Sequence, residues 1–295
     1  MKSNAFFYYA NERENTRVRR EKGDDPPFSE DPILQQYRFT NVFREDDKVT
    51  RWVRTHDYCT VWPETEEMWQ YQVFYTIMAR WFNRLETLSH CYRVELFRDF
   101  FFNGPQATLD SIRAWRPKGP WVTGAYIIHT PNGMNWDKLQ GVCEDIELVR
   151  QDLDALFMRW MKQETLTMEW MTNDLCRYRD LGPFMAYEIV CDLRWSLLRN
   201  DVPQDVSTWA NPGPGARRGL WRIYGQEKFL ANSKAGTRLC IEAMRLLLHE
   251  WREGIGPRPR EAEMREVEHT LCEFDKYERA RLGEGRPREK FRVPD

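Results

Sequence analysis

The sequence predicts an all-α protein. Over most of its 295 residues, apolar side chains recur three or four positions apart, a spacing that places them on one face of a helix. A strand signal is confined to 121–134, where β-branched and aromatic residues precede a Pro-Asn-Gly turn. We therefore expect a single helical domain, of one or two lobes, with at most a short β-hairpin near 121–134.

The order of elements follows from helix start and stop signals. Residues 1–28 are charged and end in EKGDDPPF, so we expect an irregular arm there, and we expect residues 29–295 to form the helical domain. A helix is predicted over 31–54, since Ser29 or Asp31 can cap its first turn. Further helices are predicted over 63–88, 91–102, 108–115, 136–172, 182–200, 233–253 and 260–281, with a turn-rich stretch at 201–219.

Charge composition limits the classes of partner. The chain has 46 acidic and 44 basic residues, and the formal net charge of −2 excludes a uniformly basic nucleic-acid coat and an acidic disordered tail. Arginine supplies 34 of the 44 basic residues. Because its planar guanidinium binds phosphate and carboxylate through paired hydrogen bonds, this excess serves either structure or a phosphate-bearing partner.

Cysteine usage and hydropathy indicate the compartment. The seven cysteines are widely spaced and form no Cys-x-x-Cys pair, so neither a disulfide framework nor a zinc knuckle is indicated. No apolar run approaches the roughly 18 residues of a membrane helix, and the N-terminal residues do not read as a signal peptide. We expect a cytoplasmic protein with no membrane partner.

The first motif that can carry function is NPGPGARRGL at 211–220. A Gly-x-Gly turn that leads into a helix presents backbone N–H groups to an anion, here at Gly213 and Gly215, and Arg217 and Arg218 add positive charge. The motif resembles the hairpin of helix-hairpin-helix DNA-binding proteins, which holds a backbone phosphate. An ordinary turn between helices is the alternative.

Glycosylases with this hairpin carry a catalytic Asp on the following helix. The matching region here contains Ser233 and Lys234 and no Asp, which argues against base excision. A scaffold that reads DNA and flips a base can persist without that chemistry.

The second motif is YRFTNVFRE at 37–45. On a helix, Arg38, Asn41 and Glu45 would share one face, with Arg44 beside them. A polar row in so aromatic a segment is either a salt-bridge network or a site, and spacing alone favours the network.

The third motif is AYEIVCDLRW at 186–195, where Glu188 and Asp192 stand four residues apart. Neighbouring carboxylates raise one another's pKa, so the pair could supply a general base. Neutralisation by Arg194 and Arg199 is the alternative, and it is slightly favoured.

The fourth motif covers 271–291, where Glu273, Lys276 and Arg279 or Arg281 recur along a helix. The basic residues that follow outnumber the acidic ones, which suits a nucleic-acid backbone. A solvated C-terminal tail is the alternative.

Other catalytic signatures are absent from the sequence. It contains no phosphate-binding P-loop, no Gly-x-Ser-x-Gly, no His-Glu-x-x-His and no kinase signature. The five histidines show no ligand spacing, so no metal site and no cofactor are expected, although paired acids could hold Mg²⁺ weakly.

The four motifs, taken in order, resemble the helical family of phage thymidine-hypermodification proteins. That family includes the alpha-glutamyl/putrescinyl-thymine pyrophosphorylases, also called amino acid:DNA transferases, and the helical domain of 5-hydroxymethyldeoxyuridine DNA kinases. The resemblance extends from about Asp31 to about Phe291. It implies a fold related to the helix-hairpin-helix glycosylases and, for a phage protein, the host cytoplasm.

The resemblance also implies a reaction. A DNA kinase acting upstream converts hydroxymethyluracil in double-stranded DNA into a pyrophosphate ester. The transferase then displaces pyrophosphate with a small amine, from an amino acid or a polyamine. The implied partners are therefore DNA carrying a modified thymine, the amine and that kinase.

Residues of the motifs can be matched to these steps. Departure of pyrophosphate needs cations, for which Arg38, Arg44, Lys276 and Arg286 are candidates, and Arg194 is a further substrate-binding candidate. The amine must lose a proton to a base. The candidates for this base are the carboxylates of Glu45, Glu188 and Asp192, and Glu273 is the next candidate. Asn41 could bind a pyrimidine edge or the carboxylate of the nucleophile, and Tyr187 or Trp195 could stack on a flipped base.

Three other functions stay open from the sequence. They are a glycosylase or lyase acting on a modified thymine, a transferase of another group such as a sugar, and a non-catalytic DNA-binding subunit of a modification complex.

Overall fold

The computed structural model describes residues 3–56, 63–124, 137–198, 201–258, 260–287 and 290–291. In these ranges it contains fourteen α-helices and no strand, which confirms the all-α class. The hairpin predicted near 121–134 lies almost wholly outside the described residues. The helices are α1 (Asn4–Lys22), α2 (Pro32–Gln36), α3 (Lys48–Thr55), α4 (Glu66–Phe82), α5 (Leu85–Arg93), α6 (Leu96–Asn103), α7 (Gln106–Trp115), α8 (Lys138–Gln151), α9 (Leu153–Met161), α10 (Met168–Leu175), α11 (Pro183–Leu193), α12 (Pro214–Tyr224), α13 (Lys234–Glu250) and α14 (Met264–Arg281).

The chain divides into two compact units. Unit 1 consists of Met1–Asp47 and Asp205–Asp295, and unit 2 is Lys48–Gln204. Each unit has its own buried apolar side chains. Unit 1 is therefore assembled from both ends of the chain, whereas unit 2 is continuous.

The N-terminal segment differs from the predicted irregular arm. Asn4–Lys22 forms helix α1, which ends at Gly23 with a φ of +81°. Phe6 and Phe7 are almost fully buried, and the ring of Phe6 packs edge-on against Phe274 of α14 at 5.8 Å between centroids. The many charges of this segment obscured an aromatic face that unit 1 buries.

Helix α14 organises unit 1, and helix α12 packs closely against it. Two glycines make this approach possible. A Cβ atom on Gly215 would lie 2.3 Å from Sγ of Cys272, and one on Gly219 would lie 2.5 Å from the carbonyl oxygen of Leu271. Gly215 therefore serves the packing of two helices, which the hairpin motif did not predict.

The helix predicted over 31–54 is wrong in its middle part. Asp31 does cap α2, since its Oδ1 accepts from the N–H of Ile33 at 2.8 Å. The chain then leaves the helix at Tyr37, with φ −118° and ψ 148°, and re-enters one only at α3. Burial alternates over residues 37–40, as expected of an extended aromatic segment rather than a helix.

Unit 2 is built around α4, whose side chains are buried on almost every face. Two predicted helices are divided. The one over 91–102 is interrupted at Glu95, which has a φ of +55°, and the one over 136–172 becomes α8, α9 and the start of α10. Thr167 explains the last break, because its hydroxyl accepts from the N–H of Trp170 and begins α10 there.

Candidate functional site on helix α14

Three of the four sequence motifs meet along α14 in unit 1. This helix carries the acidic and basic residues of the fourth motif. The 3₁₀ turn Arg44–Asp46 contacts it. Thr40 of the extended segment 37–43 donates a backbone hydrogen bond to it, and so does Gly213 of the segment 211–213 before α12, which we call the hairpin. We call Thr40, Gly213, Glu268, His269, Glu273 and Lys276 the α14 site.

A chain of polar contacts joins the extended segment to α14. Oε2 of Glu273 accepts from the backbone N–H of Thr40 at 3.1 Å, and Oε1 of Glu273 pairs with Nζ of Lys276. Burial acts to raise the pKa of Glu273, but the charge of Lys276 and the hydrogen bonds from Lys276 and Thr40 outweigh it, so that pKa lies below its usual value. Glu273 is therefore a carboxylate that holds Lys276 in place.

His269 lies one turn before Glu273. Its Nε2 is 2.7 Å from Oγ1 of Thr40 and 3.2 Å from the carbonyl oxygen of Asn41. Burial and the nearby charge of Arg44 lower the pKa of His269 to about 4. Its imidazole is therefore neutral at neutral pH.

Glu268 connects α14 to the hairpin. Its Oε1 accepts from the backbone N–H of Gly213 at 3.2 Å. Burial raises the pKa of Glu268 to about 7, against the opposing effects of that hydrogen bond and of the Arg44 charge. A carboxyl group that titrates near neutral pH can both take up and release a proton there.

The pKa of Glu268 predicts a pH-dependent stability. The pKa of Glu268 in the folded state is above the unfolded-state value of 4.5, so the native state binds this proton more tightly than the unfolded state does. The proton therefore contributes to the free energy of unfolding below about pH 4.5, and this contribution is lost as the pH rises through about 7. Glu268→Gln should remove this loss. Denaturant titrations of both proteins at several pH values measure it, and a difference in unfolding free energy that does not change with pH would contradict the assignment.

The two hairpin arginines have different positions. Arg217 is buried and donates to the carbonyl oxygens of Pro212 and Ala231 and to Oγ1 of Thr237. Arg218 is partly exposed and pairs with Asp275 at 2.7 Å. Arg217 therefore ties the hairpin to the chain that follows it, whereas Arg218 lies at the surface.

The residues of 37–45 do not share the helical face predicted for them. Asn41 joins two parts of unit 1, because its Oδ1 accepts from Nη2 of Arg13 at 2.5 Å and its Nδ2 donates to the carbonyl oxygen of Asp46 at 2.7 Å. Glu45 lies 3.6 Å from the guanidinium of Arg265. Arg44 is buried and Arg38 is exposed.

Residues of the third motif lie in unit 2, in a buried ion pair. Nη2 of Arg80 donates to Oδ1 of Asp192 at 2.8 Å, and Oγ1 of Thr50 donates to the same oxygen at 2.9 Å. Glu188 is buried with its carboxylate 3.8 Å from Arg80. The cation that neutralises Asp192 is therefore Arg80 rather than Arg194, and Arg199 lies outside the described residues.

The other candidates are dispersed. Tyr187 is buried at 3 % exposure, and the guanidinium of Arg194 lies 5.2 Å from the ring of Trp195. Arg286 is exposed in unit 1, where it lines, together with Tyr37, a cleft of about 370 Å³.

A family model for the 5-hmdU DNA kinase helical domain matches residues 2–286 of the chain. The chain belongs to this family. A curated 5-hmdU DNA kinase from Bacillus phage SP10 is 26 % identical over 297 aligned residues, which cover 92 % of this chain and 44 % of that protein. The chain thus spans less than half the length of this relative. No solved structure matches it.

Two residues of this helical-domain chain were missed by the sequence argument. Glu268 and His269 stand about one turn before Glu273 on the same helix, and their spacing from it could have indicated them. Their significance depends on the contacts to Gly213 and Thr40, which no local pattern shows.

Within the described ranges, no group of three or more His, Cys, Asp or Glu side chains is arranged to hold a metal ion. None of the helices described is both long and apolar enough to cross a membrane.

Proposed function

We propose that this helical-domain chain modifies hydroxymethyluracil in DNA, by transferring an amine to the pyrophosphorylated base with release of pyrophosphate. The relative named above is a 5-hmdU DNA kinase, and this name supports hydroxymethyluracil as the modified base and DNA as the polymer that carries it. The observation that carries the finer proposal is the α14 site, where a carboxyl group with a pKa of about 7 accepts from the backbone N–H of Gly213 and lies close enough to Arg44 for that charge to act on it.

The reaction places three demands on a site. The neutral amine nitrogen forms a bond to the methylene carbon of the base while the bond from that carbon to the pyrophosphate oxygen breaks. The departing oxygen takes the electron pair, so cations must stabilise pyrophosphate. The nitrogen then carries an extra proton, which a base must accept.

Residues of the α14 site, together with two exposed arginines of unit 1, fit these demands. Glu268 accepts the proton, because its pKa is near the working pH, and this role moves to it from Glu45, Glu188 and Asp192. Lys276 is held by Glu273 and keeps its charge, since its pKa is raised. Lys276 and the exposed Arg38 and Arg286 stabilise the pyrophosphate.

A nucleoside mass assay tests the proposal. The purified chain is incubated with DNA containing pyrophosphorylated hydroxymethyluracil and, in separate reactions, with amino acids and polyamines, and the DNA is digested to nucleosides for mass spectrometry. We expect a nucleoside heavier by the amine and an equal amount of pyrophosphate. DNA with unphosphorylated hydroxymethyluracil is the control, and no mass change with any amine would contradict the proposal.

A second candidate is a non-catalytic subunit that presents DNA to a kinase. It is favoured by two observations: the relative named as a kinase is more than twice as long as the matched region, and this chain contains no P-loop. The candidate predicts that the chain increases phosphorylation of hydroxymethyluracil DNA by a separate kinase. Glu268→Gln would leave that stimulation unchanged, whereas it would abolish amine transfer.

A further inference from the structure

A cluster of three arginines surrounds one buried carboxylate on the surface formed by α12 and α14. Asp275 of α14 has no exposed surface. Its Oδ2 lies 2.7 Å from Nε of Arg218 and 3.5 Å from Nε of Arg279, and its Oδ1 lies 2.8 Å from Nε of Arg222. We call Arg218, Arg222 and Arg279 the arginine triad.

The triad has more positive charge than Asp275 can neutralise. Three guanidinium groups and the Asp275 carboxylate leave an excess of two positive charges, which the carboxylate of Glu284 on Arg222 reduces to one. The side chains of Arg218 and Arg279 stay 43 % and 39 % exposed. Arg218 hydrogen-bonds to Asp275 through Nε, whereas Nε of Arg279 only approaches it at 3.5 Å, and each guanidinium has further N–H donors in the same plane.

The backbone holds the triad in position before any ligand arrives. Arg218 and Arg222 are separated by one turn of α12, and the close approach at Gly215 and Gly219 fixes that helix against α14. Because Asp275 holds Arg218 and Arg222 by hydrogen bonds, little rotamer entropy of these two side chains remains to be lost when an anion binds.

A single carboxylate at the rim occupies part of this surface. Oε2 of Glu284 lies 2.7 Å from Nη2 of Arg222, and its side chain is 47 % exposed. The turn after α14 places it there: Gly283 has a φ of +74°, and the N–H of Glu284 donates to the carbonyl oxygen of Arg279. The side chain of Arg222 is only 7 % exposed, so the pair is open to water from the Glu284 side, and from that side a stronger anion can displace Glu284.

We infer that the arginine triad is a phosphate-binding site in which Asp275 positions the arginines and Glu284 competes with the ligand. Paired donors in one plane are the arrangement that binds the oxygens of a phosphate group. The phosphate belongs either to the backbone of DNA or to free pyrophosphate, which share this chemistry. The inference rests on the geometry of unit 1 and does not require the proposed amine transfer.

Binding measurements on the full chain test the inference. Unmodified duplex DNA is followed by fluorescence anisotropy and inorganic pyrophosphate by calorimetry. Arg218→Gln and Arg279→Gln should each weaken binding about tenfold, as expected when a charge-assisted hydrogen bond is removed. For DNA, the slope of log affinity against log salt should fall by about 0.9 for each phosphate that the variant no longer neutralises. Glu284→Gln should tighten binding, which loss of folding could not produce.

Matched variants on α13 give the controls. Arg238→Gln and Glu242→Gln make the same charge changes at positions of unit 1 outside the triad. Effects seen with DNA alone assign the site to the backbone, and effects seen with pyrophosphate alone assign it to the free anion. The inference is overturned if the triad variants lower the affinity for DNA and for pyrophosphate no more than Arg238→Gln does. It is also overturned if Glu284→Gln raises the affinity for neither ligand. Since no turnover is measured, this result leaves the amine-transfer proposal untouched.

Discussion

Replacing Arg80 with Met is expected to lower the free energy of unfolding by about 3–5 kcal/mol, because it leaves a carboxylate buried without its cation. Arg80 and Asp192 are both fully buried in unit 2. Thr50 would remain as a donor to Asp192, but a hydroxyl supplies no charge. The effect should appear as a shift of the denaturant midpoint for unit 2.

Two further variants separate this cause from general damage. Glu86→Gln removes the pair of Arg84 with an exposed carboxylate, 3.3 Å apart, and should cost less than about 1 kcal/mol. Combining Arg80→Met with Asp192→Leu should recover part of the loss, since no unpaired charge then remains buried at Asp192. If Arg80→Met cost no more than Glu86→Gln, the ion pair would not be a main support of unit 2.

The variant Glu268→Gln is expected to lower the rate of amine transfer by about 100-fold or more, because a side-chain amide cannot accept the proton of the amine. The amide oxygen can still accept from the N–H of Gly213, so the hairpin should keep its position. Above pH 7 the variant should also be at least as stable as the parent chain. Lost activity without lost stability is typical of a group retained for function.

Single-turnover rates on pyrophosphorylated DNA, measured between about pH 5.5 and 8.5, provide the readout. In the parent chain the rate should rise with pH around the pKa of Glu268, about 7, as the carboxylate forms. Glu242 on α13 gives the matched control, since Glu242→Gln should leave the rate and its pH profile unchanged. An unchanged profile in Glu268→Gln would show that another group takes the proton.

Fold class and most helix positions could be predicted from the sequence, because both depend on local spacing and capping. Apolar residues spaced three to four positions apart predicted α4, α11 and α13 close to the ranges that the structure has. Asp31 was among the predicted caps, and it caps α2. Errors arose where a local pattern had two interpretations. The spacing of Arg38, Asn41 and Glu45 fits one face of a helix, yet the alternation of buried and exposed residues from Tyr37 to Thr40 fits an extended segment packed on α14.

The sequence by itself determined that the protein is helical, that four of its motifs combine arginines or acids with aromatic or glycine residues, and that the motifs resemble the hypermodification family. Only the tertiary structure decided which partner each charged side chain contacts. It assigned Asp192 to Arg80, 112 residues away, and Glu268 to the N–H of Gly213, 55 residues away. The reason is physical: helix formation depends on neighbours within one or two turns, whereas the pKa and role of a carboxyl group depend on burial and on charges that only packing brings near.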